Sequence, residues 1–272
     1  MPQIINTNIS SLTAQRNLNA SQSTLSSALN RLSSGLRVNS AKDDAAGIAI
    51  ATRLEAQSRG MSVAIRNAND ALSFLQTAEG GISKITESLN RMRELSVQAA
   101  NGTYTASDRA NLQAEFGQLS SEIARVAAQT EFNGLQMFNG SGSQTFQVGA
   151  NTGQTIDVAI DNLTAGSFTL SSGDIGTANG ATNAITAIDS ALDAVNTLRA
   201  KIGGSQSRFE SVVSQLQIAR ENQDASRSRI MDADFAEETA RLTRAQILQQ
   251  AGTAMLAQAN ALPNNVLSLL RS

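Results

Sequence analysis

Two pairs of neighbouring carboxylates, Asp43-Asp44 and Glu237-Glu238, are the residues whose type and spacing could do chemistry in this 272-residue chain. Paired carboxylates can relay a proton or hold a hard cation. Here they would work without the usual companions, because the sequence has no His and no Cys. That removes the commonest general base, the thiol nucleophile and most zinc and copper ligands. Both pairs lie beside a stretch of helical periodicity. Carboxylates in that position cap free N–H groups and complement the helix dipole, and this is the reading adopted for both. Gly140-Ser-Gly has neither a strand before it nor a Lys after it, so it does not read as a phosphate loop. The residues therefore nominate no catalytic site, no cofactor site and no metal site, and the expectation is a protein that is not an enzyme.

The elements that would position any site are helical. Hydrophobic residues make up 41 % of the chain but aromatics only 3 %, with Tyr104 the single tyrosine. Such a core is built of Leu, Ile, Val and Ala, which favours thin helix-on-helix layers over a wide globule. The two prolines are Pro2 and Pro263, so nothing between them forbids long helices. In the first segment Leu25, Leu29, Leu32 and Leu36 step by four and three, a narrow coiled-coil seam. A long helix follows from about Asp44 to Ala99, with Ile65, Ala68, Leu72, Leu75, Ile82, Ile85, Leu89 and Met92 on one stripe. Asn101-Gly102 ends it, and Thr105-Ala-Ser-Asp restarts a helix to about Thr130, stopped at Asn133-Gly134.

The middle of the chain alternates at period two in Thr145-Phe-Gln-Val-Gly, Ile156-Asp-Val-Ala-Ile and Ser167-Phe-Thr-Leu, which predicts two or three short strands and at least one hairpin. Helical spacing returns with Ile188, Val195, Ile202, Phe209 and Leu216, each seven apart. The last segment steps by four and three through Leu248, Gly252, Met255, Ala259, Leu262, Val266 and Leu269, with Pro263 expected to kink or fray its final turns. Gly80-Gly81 and Gly203-Gly204 are candidate bends. The predicted fold class is mainly α: an elongated antiparallel helical rod or coiled-coil bundle with a short β-hairpin region in the middle. The terminal seams lack an internal partner wide enough to bury them, so the ends are expected to order on association.

Charge and targeting signals narrow the partners. Net charge is −2, which offers no bulk attraction to nucleic acid. No Asp or Glu occurs before Asp43 or after Glu238, and all but Lys42, Lys84 and Lys201 of the 21 cationic residues are Arg. Arg suits partly buried protein interfaces. The polar faces of the terminal stretches carry amides and hydroxyls rather than Lys, which argues for protein partners over a membrane surface. The first residues lack the basic patch and apolar core of a cleaved secretory signal, and no run approaches the roughly 18 apolar residues of a membrane span.

Long motifs at both ends resemble a known family. Leu32-Ser-Ser-Gly-Leu-Arg-Val-Asn-Ser-Ala-Lys-Asp-Asp-Ala-Ala-Gly-Ile-Ala is similar to the amino-terminal signature of bacterial flagellins, and Ser228-Arg-Ile-Met-Asp-Ala-Asp-Phe-Ala-Glu-Glu-Thr-Ala to their carboxy-terminal one. The resemblance covers about 1–140 and 183–272. It implies a self-polymerising, extracellular subunit of the flagellar filament, in a short form without large outer domains, exported unfolded through the flagellar type III apparatus. The alternative is a hook–filament junction protein. The implied domains are 1–44 with 235–272 as a terminal coiled coil lining the filament core, 45–140 with 181–234 as a helical rod, and 141–180 as a short β region at the rod tip. The seam residues Leu25, Leu29, Leu32, Leu36, Leu248, Met255, Leu262 and Leu269 are then assembly contacts. Implied partners are further copies of the chain, an export chaperone on about 235–272, flagellar cap and junction proteins, and the vertebrate Toll-like receptor for flagellin. For the receptor the matching positions are Arg91, Leu95 and Glu115, with Arg91 and Leu95 one turn apart and expected to share a face.

Overall fold

A computed structural model describes residues 7–138, 143–163 and 173–269, with side chains described as far as residue 261. Gly140-Ser-Gly and the strand expected at Ser167-Phe-Thr-Leu lie outside the described residues, as do the side chains of Leu262, Val266 and Leu269. The described chain is mainly helical: α1 (Ile9–Ser34), α2 (Ala45–Ala100), α3 (Ala106–Gln129), α4 (Ala178–Met231) and α5 (Phe235–Leu269). Two antiparallel hairpins stand between α3 and α4, one of β1 (Glu131–Phe132) with β2 (Leu135–Gln136), the other of β3 (Ser143–Gln147) with β4 (Thr155–Ala159). The chain divides into two compact units, Gln57–Glu221 and Met1–Ala56 with Asn222–Ser272.

The unit Gln57–Glu221 holds one hydrophobic core. Most of the stripe of α2 is buried as its spacing predicts, with Ala68, Leu75, Ile82, Ile85, Leu89 and Met92 fully enclosed and Ile65 and Leu72 half-buried. The same holds for Ile188, Val195, Ile202 and Phe209 on α4 and for Phe116 and Ile123 on α3. Polar contacts fix the direction of the helices. Arg93 pairs with Asp189 at 2.7 Å, and Arg220 donates to the Ser62 hydroxyl at 3.3 Å, so α2 and α4 run antiparallel. The few aromatics are pooled. Phe74 of α2 meets Phe132 of β1 edge-on at 5.8 Å and Phe146 of β3 at 5.6 Å, and Phe146 meets Phe209 of α4 at 5.8 Å. Edge-to-face packing of this kind lets a few rings join helices and hairpins that Leu and Ala alone would fill poorly. Serine and threonine sit inside these helices because their hydroxyls bond back one turn. The fully buried Ser96 donates to the Met92 carbonyl at 2.8 Å.

Two local expectations are revised. Asn133-Gly134 does not simply stop a helix. With φ of 51° and 77° the two residues form the tight turn of the β1–β2 hairpin, pairing Phe132 with Leu135. Gly80-Gly81 and Gly203-Gly204 both lie within continuous helices. Gly81 has a packing reason, since a Cβ there would stand 2.8 Å from the Phe138 ring and 3.0 Å from the Thr130 hydroxyl. The start of α3 is a full capping box: Asp108 N–H donates to the Thr105 hydroxyl and Thr105 N–H to the Asp108 carboxylate at 3.0 Å.

Candidate assembly interface

The unit of Met1–Ala56 and Asn222–Ser272 is built on α1 and α5 packed antiparallel. Asn8, just before α1, donates to the Ala259 carbonyl at 2.7 Å, Leu18 lies against Gly252, and Arg31 approaches Glu238 at 3.8 Å. These three contacts set a single register along the pair. The inward positions of α1 are Ser11, Ala14, Leu18, Ser21, Leu25, Ala28 and Leu32; those of α5 are Glu238, Leu242, Ala245, Gln249, Gly252, Leu256 and Ala259. Both series step by three and four, which is the heptad geometry of a two-helix seam. The register sets large residues level with small ones, Leu18 with Gly252 and Leu25 with Ala245, so the helices can approach closely.

The seam predicted from leucine spacing is thus partly relocated. Leu25 and Leu32 lie half-buried in it, and Leu36 pairs through its backbone with Asp232 beyond the helix end. Leu29 is 50 % exposed, Leu248 50 % and Met255 64 %. They face outward together with Ile9, Leu12 and Ile247. The structure brings Gly252 and Ala259 into the seam but leaves Leu248 and Met255 on the outer surface of α5. Leu25, Leu32, Gly252 and Ala259 of the inner seam were named, and its other positions were passed over because most are Ser, Ala or Gln. A heptad search that admits small and amide residues would have found it; a search weighted on leucine finds the outer face. Among the described residues the pair therefore has an enclosed seam and, outside it, large apolar side chains exposed on both helices.

The turn between α1 and α2 is held by backbone geometry. Gly35 ends α1 in the left-handed region at φ 71°, its N–H donating to the Arg31 carbonyl at 2.8 Å. Its own carbonyl accepts from Ala233 N–H at 2.9 Å, and Arg37 N–H donates to the Met231 carbonyl at 2.6 Å, while Val38 is buried. Of the first carboxylate pair, Asp44 caps α2 by accepting from Gly47 N–H at 2.8 Å. Asp43 instead turns back and accepts from the Ser40 hydroxyl and from the N–H groups of Ser40 and Asn39. The Ser40 hydroxyl, then these N–H groups, and more weakly Arg31, hold the Asp43 carboxyl below its ordinary pKa. Of the second pair, Glu237 bonds Arg241 at 2.6 Å and Glu238 is buried facing Arg31, while Asp234 caps α5 through Ala236 N–H at 2.8 Å. Every one of these carboxylates is engaged in caps, turns or ion pairs, and no group of three potential ligands suited to a metal ion occurs among the described residues.

In the other unit Arg91 and Glu115 are brought together: the guanidinium donates to Glu115 at 2.8 Å and to Glu94 at 2.9 Å, and both Arg91 and Glu115 are exposed. The bond to Glu115, then that to Glu94, raises the pKa of Arg91. Leu95 departs from expectation. It is 1 % exposed, because it continues the core stripe through Leu89 and Met92 and points away from the surface that presents Arg91. An outward face shared by Arg91 and Leu95 is therefore not present.

Comparison with known proteins returns one family for both ends. Residues 5–143 match the bacterial flagellin N-terminal helical region, and residues 185–270 the bacterial flagellin C-terminal helical region. The chain is 40 % identical to flagellin FlaB1 of Treponema pallidum over 285 aligned positions, covering 98 % of this chain and all of that one. It is 41 % identical to the flagellar filament 33 kDa core protein of Treponema phagedenis at the same coverage, and 36 % identical to flagellin A of Vibrio cholerae over 98 % of this chain and 99 % of that one. Among solved structures, Bacillus cereus flagellin superposes with a TM-score of 0.51 at 31 % identity, over 56 % of this chain and 88 % of that one. A flagellar hook-associated protein of Vibrio parahaemolyticus shares the fold, with a TM-score of 0.60 at 17 % identity over 70 % of this chain and all of that one.

Proposed function

The chain belongs to the bacterial flagellin family, and from that premise we propose how it works as a structural subunit of the flagellar filament. The segments 1–44 and 235–272 are its assembly ends, 45–140 with 181–234 its rod, and 141–180 its variable tip. The observation that carries the proposal is the set of large apolar side chains that the α1–α5 pair leaves exposed, Ile9, Leu12, Leu29, Ile247, Leu248 and Met255. Removing such side chains from water on another copy is worth about 25 cal/mol per Å² of apolar area. Identical subunits joined through two different surfaces that do not close make a helical polymer. The role asked of the chain is mechanical and needs no catalytic group.

Finer partners follow from the same faces. Before assembly the outer face of α5 is the surface an export chaperone would cover, and cap and junction proteins would meet the assembled ends. A chain without cysteine can pass unfolded through a narrow export channel with no disulfide to obstruct it, and that supports type III export to the cell exterior. For the Toll-like receptor, the accessible candidates reduce to Arg91 and Glu115, since Leu95 is enclosed. The test of the central reading is seeded polymerisation of the purified chain, followed by light scattering and electron microscopy, beside a version lacking 1–40 and 240–272. Long filaments from the intact chain alone are expected. An intact chain that stays monomeric with seeds present would sink the reading and favour a junction protein instead.

A further inference from the structure

The α1–α5 seam has a periodicity problem. Leu18, Leu25 and Leu32 are seven apart on α1, and Ala245, Gly252 and Ala259 are seven apart on α5. Sliding one helix by a heptad, about 10.5 Å at 1.5 Å per residue, would set Leu25 level with Gly252, Leu32 with Ala245 and Leu18 with Ala259. In the slid register each of the three leucines would face a small residue, whereas in the described one Leu32 stands level with Glu238. Apolar burial hardly distinguishes the two registers, so polar marks must choose between them: the backbone bonds of Ala233 to Gly35 and of Arg37 to Met231 at the turn end of the seam, and one more at its open end.

We propose that Asn8 and Pro263 together are that mark. A helical carbonyl is normally bonded by the N–H four residues on, and for Ala259 that residue is Pro263, which has none. Pro263 lies within α5, so the helix carries one vacated carbonyl at a fixed place. The Asn8 amide fills it at 2.7 Å. The orientation of that amide is set independently, because its oxygen accepts from Ser11 N–H at 3.0 Å and caps α1. Ser11, itself buried, donates to the Asn260 side chain at 2.7 Å and closes the same corner. In the slid register Leu18 would stand level with Ala259 and could donate nothing. The vacated carbonyl would lose its partner, a loss of the order of tenfold in the equilibrium between registers. At the turn end Arg31 and Glu238 are 3.8 Å apart, beside the backbone bonds of Ala233 to Gly35 at 2.9 Å and of Arg37 to Met231 at 2.6 Å, so Asn8 marks the register where those bonds do not reach. Asn8 is thus a positioning residue and Pro263 the feature it reads. The proposal rests on the filament reading only for the use to which the register is put.

The 272-residue chain has no cysteine, so introduced thiols report the register without interference. Leu25→Cys with Ala245→Cys traps the described register, and Leu32→Cys with Ala245→Cys the slid one. In an otherwise unaltered chain the first cross-link is expected to dominate. Asn8→Asp keeps the capping oxygen but removes the donor, and should lower the ratio of the two cross-links about tenfold. Pro263→Ala should also lower it, although it installs a better helix former, because the carbonyl is then bonded within α5. Adding Asn8→Asp to Pro263→Ala should change the ratio less than about twofold. A ratio unmoved by Asn8→Asp, or equal falls with and without Pro263, overturns the proposal. Cross-linking reads single chains, so a chain that follows this pattern yet fails to polymerise would count against the filament reading alone.

Discussion

At the residue scale the carboxylates were the only candidates for chemistry, and their geometry turns them into turn and cap residues. Asp44 was legible as a cap because it precedes a long apolar stripe. Asp43 was not, because its partners Asn39 and Ser40 lie behind it in a loop whose fold leaves no periodic trace. Its behaviour with pH follows. The folded-state pKa of Asp43 lies below its ordinary 3.8, so its contribution is complete above that value and is lost as pH falls through the lower folded value. Carbon-13 NMR of the side-chain carboxyl should place its midpoint below 3.8, and Ser40→Ala should move that midpoint upward. A midpoint unchanged by Ser40→Ala would remove the hydroxyl as the main cause.

At the scale of elements the long helices were readable because burial repeats along them. The stripes of α2 and α4 recur over many turns, and the core takes up the residues they name except Ile65 and Leu216, which stay half-buried at the ends of the stripes. The β3–β4 hairpin was readable from its alternation. The β1–β2 hairpin was not, since strands of two residues have no period to detect and Asn-Gly serves helix ends as readily as turns. The aromatic cluster was equally hidden, because Phe74, Phe132, Phe146 and Phe209 belong to four elements and meet only in three dimensions. The turn gives a direct test. Gly134 sits at φ 77°, where a side chain is strained even though the space around it is open. Gly134→Ala should lower stability by about 1–2 kcal/mol in urea unfolding, with no loss of helical circular dichroism. A neutral effect would mean that the turn relaxes to another type.

For the whole molecule, the ends proposed for assembly were legible as helices, but the inner and outer faces of each helix could not be told apart from one chain's spacing. Leu25, Leu29, Leu32 and Leu36 step by four and three although Leu29 is exposed, and only the partner helix decides which positions are enclosed. The outer face can be altered without touching the inner one. Leu248→Ser combined with Met255→Ser should leave the thermal midpoint of the monomer unchanged and raise the critical concentration for polymerisation about tenfold or more. A falling midpoint with normal assembly would assign both residues to the fold instead.

The Asn8–Ala259 contact spans 251 residues of chain, and that separation has a consequence for the order of folding. Closing so long a loop before anything else has formed is entropically costly. If the unit Gln57–Glu221 condenses first, its Ser62–Arg220 contact short-circuits most of the loop and leaves roughly 90 flexible residues to close. On the logarithmic cost of loop length this saves about 0.9 kcal/mol, or roughly a fourfold faster encounter of the two ends. In that order of events α1, although it precedes the other described helices in the chain, is among the last to find its partner, and the seam it forms with α5 closes only after the core of the other unit.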